Sequence, residues 1–232
     1  MQRELRQSAA HAFVDDLDAP ALSADDRHHL ERVLRLRPGQ EITVSDGAGR
    51  WRVCRFAERL EPLGDVIQDA RPSPAITVAL ALTKGERLDW AVQKLSELGV
   101  DIVVPFAAAR SVVRWDGDRA AHHLDRLRRI ARQAAMQSRR TSLPDVEDLR
   151  SFAEVAARPG AAQAEPGGEP PSLERPLVLV GPEGGWGEEE AAAPLARVTL
   201  GPTILRAETA AVVAGGLLCS LREGLVGPRN CP

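Results

Sequence analysis

The 232-residue sequence has few of the features that mark membrane-bound, secreted or disulfide-stabilised proteins. No apolar run approaches the length of about 18 residues that suggests a transmembrane helix, so we expect none. The amino-terminal stretch MQRELRQSAAHAFVDD is charged and has no apolar segment, which argues against a secretory signal. Cysteine is scarce, because Cys54, Cys219 and Cys231 are scattered and form no C-x-x-C pair. We therefore predict a cytoplasmic protein with reduced thiols, no disulfide framework, no metal site and no membrane contact.

Lysine is also rare. Only Lys84 and Lys94 occur among the 30 basic residues, and the other 28 are arginines. With the abundant alanine, glycine and proline, this bias is typical of GC-rich coding as much as of chemistry. The two lysines are explained either by chance or by a need for an ammonium group, which a guanidinium does not replace. The formal net charge of −3 gives the whole molecule no footprint for nucleic acid, so any such footprint is local.

Two glycine-containing turns organise the C-terminal half of the chain. The first, at 181–187, follows the apolar run LVLV, which is typical of a strand buried on both faces. Its glycines allow backbone to approach a ligand, and the acidic residues 188–190 suit the first turn of a helix. The second turn, at 200–202, precedes a polar cluster and another apolar run. Open α/β folds usually bind ligands at such turns, yet neither turn has the glycine spacing of a dinucleotide fold or of a P-loop.

The two turns, GPEGG and LGPTILRAETA, closely resemble the signature of SPOUT-class methyltransferases and, within that class, of the RsmE family. The resemblance implies a parallel-sheet α/β domain whose C-terminal trefoil knot holds a bent S-adenosylmethionine. It implies methylation of N3 of a specific uridine in 16S ribosomal RNA of the small subunit, by a homodimer with a shared active site. The pattern of the residues alone indicates only an α/β protein with a ligand at its glycine turns.

The resemblance also implies roles for individual residues. Arg206 would stabilise the charge of a deprotonated uracil, and Glu208 or a water would take the N3 proton. A structural salt bridge between these two side chains is the alternative. Leu179, Leu200 and Leu205 would surround the adenine. The predicted cofactor-binding residues are Leu179, Val180, Gly181, Glu183, Gly184, Gly185, Leu200, Gly201, Ile204, Leu205 and Thr209.

Residues 1–72 are predicted to form a small β-rich domain with a short helix capped by Ser23. Basic residues gather on this helix and on the hairpin that follows. They either contact phosphates or form a solvated face paired with nearby acids. The stretch HHLERVLRLRPGQEITVSDGAGR resembles the PUA-like RNA-binding barrel of the RsmE family, which favours the first interpretation. The predicted RNA-binding residues are Arg27, His28, Arg32, Arg35, Arg50, Arg52, Lys84 and Arg140.

The stiff segment RPSP at 71–74 marks the boundary to a second domain, predicted over 73–226. A β-α-β succession there predicts a parallel sheet, and TKGERLDWAVQKLSELGVDIVVP is again similar to the family. Two features depart from the family pattern. Met136 stands where family members usually have the acid of E-Q-S-G-R, and the strand expected before the knot is not evident. We predict instead a mobile loop over 158–176 and, at the C-terminus, a frayed tail over 227–232.

Three other functions stay open at this point. A SPOUT enzyme acting on transfer RNA would keep the fold and change the substrate. A catalytically weakened RNA-binding assembly factor would fit Met136 and the missing strand. A nicotinamide-dependent enzyme is the last, and the glycine spacing argues against it.

Overall fold

The computed structural model describes residues 3–227. The chain separates into two compact units, one comprising Met1–Arg71 with Arg132–Leu143, and the other comprising Pro72–Ala131 with Pro144–Pro232. The boundary after Arg71 lies within the RPSP segment. Residues 132–143, which the sequence-based division places in the second domain, group with the first. Apart from Gly227, the tail predicted to fray lies outside the described residues, as does Cys231.

The first unit is built on a four-stranded sheet. Its elements are helix α1 (Arg3–Gln7), strand β1 (His11–Phe13), helix α2 (Ala24–His28) continued by a π-helical turn (His29–Val33), and strands β2 (Glu41–Ser45), β3 (Arg50–Arg55) and β4 (Glu61–Gln68). The strand order is β1-β2-β3-β4, with β1 parallel to β2 and the other pairs antiparallel. The predicted cap is present, because the Ser23 hydroxyl accepts a hydrogen bond from the Asp26 amide at 3.1 Å.

Arg52 on strand β3 is predicted to bind RNA, but its side chain is largely buried. Trp51 and Cys54 are both fully buried, three residues apart, because the pairing of β3 with β4 shifts register just after Trp51. The Arg52 side chain is only 13% exposed, and its guanidinium donates to the carbonyl oxygens of Leu17 and Gly64. Arg52 therefore stabilises the first unit through these hydrogen bonds, and little of its side chain is exposed on the surface.

The second unit is a parallel sheet with helices, as predicted. Its elements are β5 (Thr77–Ala81), α3 (Arg87–Leu98), β6 (Ile102–Ala107), α4 (Gly117–Gln137), β7 (Asp145–Val146), β8 (Arg150–Ser151), α5 (Phe152–Ala156), β9 (Ala161–Glu169), β10 (Leu177–Val180), α6 (Glu188–Ala191), β11 (Ala196–Val198) and α7 (Ala207–Arg222). The strand order is β11-β9-β10-β5-β6-β7, and β8 also pairs with β6. Every pair in this sheet is parallel. The last turn of α4 belongs to the first unit.

Both faces of this sheet are buried, which explains why its central strands are apolar throughout. Along β10, Val178 and Val180 join a core formed with α3 and α7. Leu177 and Leu179 point to the other face, into a core with Phe106 and α5. Helix α3 ends at Gly99, whose left-handed φ of 95° is typical of a glycine C-cap.

Strand β9 corrects the prediction of a loop over 158–176. It pairs with β10 on one side and with β11 on the other, so it supplies the strand that the sequence did not reveal. Its second half reads EPGGE, a composition with low β propensity. Gly168 is required there, because a Cβ would lie 2.5 Å from the Arg197 backbone. Among the described residues, no helix combines the length and apolar character needed to cross a membrane.

Candidate functional site

The candidate site lies where neighbouring strands of the second unit end. Strands β10 and β5 run side by side in parallel, so the turn at 181–187 and the segment containing Thr83 and Lys84 leave the sheet at the same edge. The loop from Thr199 to Arg206, between β11 and α7, faces the first turn across a cavity of about 440 Å³. This volume is in the range of small-molecule sites.

Most of the predicted cofactor-binding residues line this cavity, namely Val180, Gly181, Glu183, Gly185, Leu200, Gly201, Ile204 and Leu205. Gly184 and Thr209 are not among the lining residues. The prediction that Leu179 forms a wall needs correction. Side chains alternate along a strand, so Val180 faces the cavity while Leu179 is fully buried in the core on the other face of the sheet.

Trp186 is a lining residue that the sequence-based assignment missed. Its indole stacks on Phe106, with ring centroids 6.3 Å apart and an interplanar angle of 13°, and its Nε1 donates to the Ala164 carbonyl at 3.4 Å. A Cβ on Gly181 would lie only 3.0 to 3.2 Å from atoms of this indole. Gly181 is therefore glycine because the ring occupies the space of a side chain. The sequence feature that could have indicated Trp186 is an aromatic residue inside a glycine-rich turn.

Glu190 holds the turn in place from the first turn of α6. Its buried carboxylate accepts hydrogen bonds from the Gly187 amide at 2.8 Å and from the Ala109 amide at 2.7 Å. The Glu190 carbonyl accepts a further bond from Gln163 of β9 at 2.9 Å. One acidic residue thus links the glycine turn, the loop after β6 and strand β9, which makes the cavity wall rigid.

A second pocket of about 380 Å³ adjoins the cavity, and Arg206 lines both. Arg206 is exposed, and its guanidinium has no hydrogen-bond or ion-pair partner among residues 3–227. Glu208 pairs instead with Arg87, at 3.8 Å from Nε to Oε1, so the alternative of a structural Arg206–Glu208 bridge is not what forms. The other oxygen of Glu208, Oε2, is buried without a hydrogen-bond partner in the described structure. Arg87 also pairs with Glu183 of the first turn.

Comparison with known proteins identifies the family. A model of an RNA methyltransferase domain matches residues 71–219, and a model of an RNA methyltransferase PUA domain matches residues 22–59. Ribosomal RNA small subunit methyltransferase E of Mycobacterium bovis is 36% identical over 88% of this chain and 88% of its own. The chain belongs to the ribosomal RNA small subunit methyltransferase E family.

Two further members show how uniform this likeness is. The Bacillus subtilis protein of the same name is 30% identical over 87% of this chain and 90% of its own. The crystal structure of the Neisseria gonorrhoeae methyltransferase E, bound to S-adenosyl methionine, is 30% identical, covers 91% of this chain and 97% of its own, and has a TM-score of 0.73. The parallel-sheet α/β fold with its N-terminal PUA domain is thus that of the family. The trefoil knot stays a prediction.

The residues predicted to bind RNA fall into two groups. Arg27 donates to the carbonyl oxygens of Ala57 and Glu58, and Arg50 pairs with Asp46 at 2.7 Å. Together with Arg52, these side chains have structural partners. The other predicted residues have fewer side-chain contacts. His28, Arg32, Arg35 and Lys84 are exposed with no side-chain partner in the part of the chain that is described, whereas Arg140 is half-buried and has a contact of its own.

Strand β9 contributes the other residues that sequence reasoning missed. Ala164, Glu165 and Pro166 line the cavity from this strand, and Thr199 and Thr203 line it from the loop before α7. The first three lie in the segment predicted to be a loop, so they were not considered. Within residues 3–227, no group of three or more His, Cys, Asp or Glu side chains is placed to hold a metal ion.

Proposed function

We propose that this chain uses S-adenosylmethionine to methylate N3 of a specific uridine in 16S ribosomal RNA of the small subunit. The names of its relatives and the S-adenosylmethionine-bound family structure support the donor and the substrate class. The observation that carries the proposal is the place of Arg206, an unpaired cation between a cofactor-sized cavity and a second pocket. Such a cation is positioned to act on an acceptor held beside the donor.

The residues of the cavity fit S-adenosylmethionine. Val180, Leu200 and Leu205 offer apolar walls to the adenine, and main-chain groups of the turns offer hydrogen bonds. A Cβ at Gly185 or Gly201 would meet nothing within 4 Å, so open space adjoins the backbone there. When bound, the cofactor supplies an electrophilic methyl group on a positively charged sulfur.

The chain's own residues then prepare the acceptor. Uracil N3 carries a proton at neutral pH, and this N–H bond has to break before nitrogen can form a bond to the methyl carbon. Glu208 accepts the proton, because its side chain lines the second pocket together with Arg206. Arg206 stabilises the negative charge that develops on the uracil ring. Arg87 keeps Glu208 in position. Thr209 lies in the second pocket, on the acceptor side of Arg206.

The proposal extends to partners. The first unit, which contains the PUA-domain match, would bind ribosomal RNA through its unpaired basic side chains. We also propose a cytoplasmic homodimer. Its support is helix α7, whose Val212, Val213 and Leu217 remain only half-buried within one chain. Homodimer interfaces bury apolar side chains of this kind.

Substitution of Arg206 tests the proposal. Arg206→Ala should lower methyl transfer to unmodified small-subunit RNA by about 100-fold or more, the usual effect of removing a group that stabilises developing charge. Calorimetric titration should show S-adenosylmethionine binding that differs from wild type by no more than a few-fold. Nucleoside mass spectrometry of the RNA product should show 3-methyluridine with the wild-type enzyme.

Arg119→Ala is a matched control, because Arg119 is an exposed arginine of the second unit whose side chain has no partner among the described residues. It should leave both readouts unchanged. Full activity of Arg206→Ala would refute the catalytic assignment. Methylation of transfer RNA alone would refute the substrate, and wild-type protein that binds S-adenosylmethionine yet methylates neither RNA would indicate an assembly factor.

A further inference from the structure

Trp90 on helix α3 differs from the other three tryptophans of this chain. Trp51 is fully buried, Trp115 stacks on His123 at 4.7 Å, and Trp186 stacks on Phe106. Trp90 is 43% exposed, and among residues 3–227 no ring or cation packs on its indole. A single exposed apolar side chain is common on protein surfaces, so the location of Trp90 decides whether its exposure matters.

The place of Trp90 indicates how its exposed ring is used. Its side chain lines the second pocket together with Arg206, Glu208 and Thr209, so the indole faces the same space as the two proposed catalytic groups. Because Arg206 also lines the cofactor cavity, a group in this pocket would lie next to the donor.

The chemistry of the pocket fits a nucleobase better than a second protein surface. Two arginines and two glutamates, Arg87, Arg206, Glu86 and Glu208, surround a single indole. Tryptophan and arginine are common in protein–protein interfaces, but glutamate is depleted from them, and two glutamates line this pocket. A nucleobase has an apolar face to lie on the indole and a polar edge for Arg206 and Glu208.

We propose that this pocket receives the acceptor base and that the Trp90 indole is the platform on which the base stacks. The inference rests on the proposed methyltransferase function and adds a positioning residue from helix α3 to it. Stacking holds the flipped-out base while Arg206 and Glu208 contact its polar edge. Since every base has a π face, the platform supplies affinity and orientation, and Arg206 with Glu208 supplies the choice of base.

Steady-state methylation of a small-subunit RNA transcript tests the platform. Loss of one base–aromatic stack corresponds to roughly 5- to 150-fold in affinity. Trp90→Ala should therefore raise KM for RNA within that range, with S-adenosylmethionine affinity and the thermal midpoint close to wild type. Trp90→Phe should recover most of the loss, because it keeps a flat ring, whereas a purely packing role would not require one.

Leu98→Ala is the matched control. Leu98 is 42% exposed on the same helix, two turns away and outside the pocket, so Leu98→Ala removes exposed apolar surface from α3 without touching the proposed platform. It should leave KM for RNA unchanged. If Trp90→Ala and Leu98→Ala both convert a dimer to a monomer in sedimentation and change KM together, the indole belongs to an interface between copies and the inference is wrong. An unchanged KM in Trp90→Ala overturns it as well.

A fluorescence measurement separates failure of the inference from failure of the proposed function. Addition of oligouridylate to the wild-type protein with S-adenosylmethionine should quench tryptophan emission, and Trp90→Phe should lose this quenching. Quenching without methylation of any RNA would support the platform and count against the proposed reaction. Methylation without a difference in quenching between the two proteins would count against the platform alone.

Discussion

At the scale of the residue, a buried histidine in the first unit shows how burial and charge act together. His11 is 3% exposed, and its two ring nitrogens lie 2.8 Å from the Thr43 hydroxyl and 3.2 Å from the Ser45 hydroxyl. Burial, reinforced by the nearby charge of Arg139, lowers the pKa of His11 to about 4 from 6.5. The neutral ring is thus the form that the fold stabilises.

This pKa predicts how stability depends on pH. The unfolded chain takes up a proton on His11 below pH 6.5, whereas the folded chain does so only near pH 4. The contribution of His11 to the free energy of unfolding is therefore complete above pH 6.5 and is lost as the pH falls towards 4. A shift of this size corresponds to about 3 kcal/mol. Urea unfolding gives the free energy of unfolding at each pH. Between pH 7 and pH 4, wild type should lose about 3 kcal/mol more of this free energy than His11→Asn loses. His28→Asn, which replaces an exposed histidine, should follow wild type. Parallel curves for wild type and His11→Asn would contradict the assignment.

The arginine at position 139, close to this histidine, is a departure from the family motif that the structure explains. It occupies the position at which family members usually have the glycine of E-Q-S-G-R, and its φ is 61°, in the left-handed region that glycine tolerates best. An arginine there costs about 1–2 kcal/mol in backbone strain. Its guanidinium donates to the Ser8 hydroxyl at 3.1 Å, a contact that glycine could not make and that offsets part of the strain.

Met136, in the same motif, is a core residue. It is 9% exposed and packs with Ala12, Phe13 and Ala135. Met136 therefore adds to the core of the first unit and lines neither the cavity nor the second pocket. Strand β9, which the sequence did not reveal, is present, so a missing strand no longer favours an inactive protein.

At the scale of the element, the packing of α7 against α3 and the sheet depends on one of two adjacent glycines. A Cβ on Gly215 would lie 2.6 Å from Leu95 and 2.8 Å from Val100, and both of those side chains are fully buried. A Cβ on Gly216 would meet only Leu98, at 3.8 Å. The close approach of these elements therefore needs a glycine at 215 and does not need one at 216.

Alanine substitutions at the two positions should have opposite effects. Gly216→Ala should stabilise the protein by about 0.5–1 kcal/mol, because alanine is the better helix former. Gly215→Ala should destabilise it by about 1–3 kcal/mol, the usual cost of an overpacked core. Urea unfolding of both variants beside wild type measures the difference. Equal effects would mean that the helix relaxes to admit a methyl group.

Elements with a strong local pattern were predictable, and those held by long-range pairing were not. The strand at 177–180 follows from the apolar run LVLV, and the start of α2 follows from the Ser23 cap. Strand β9 has neither pattern, because its backbone pairs with β10 and β11 while its sequence is that of a loop. The site was predicted accordingly: the glycine turns were found, and the residues from β9 were missed.

At the scale of the whole molecule, two compact units carry different parts of the proposed function. The cavity and the second pocket are lined by residues of the second unit alone. The unpaired basic side chains His28, Arg32 and Arg35 belong to the first. A molecule of net charge −3 therefore has unpaired positive charge within its first unit, to which the proposed function assigns RNA binding.

This separation predicts that RNA affinity and donor affinity change independently. Phosphate contacts release counterions, so each lost contact lowers the slope of log K against log salt by somewhat less than one. The double variant Arg32→Ala with Arg35→Ala should thus weaken binding to small-subunit RNA and flatten that slope by roughly 1 to 2. Its affinity for S-adenosylmethionine should equal that of wild type. Filter binding across a salt series and calorimetry provide the two measurements.

A second double variant controls for net charge. Arg6→Ala with Arg119→Ala also removes two exposed arginines whose side chains have no partner among the described residues, and neither lies on α2 or the turns after it. If long-range attraction to the whole molecule governed RNA binding, both double variants would flatten the slope equally. If the surface around Arg32 and Arg35 contacts the phosphates, only the first double variant flattens the slope, because only side chains that neutralise phosphates displace counterions.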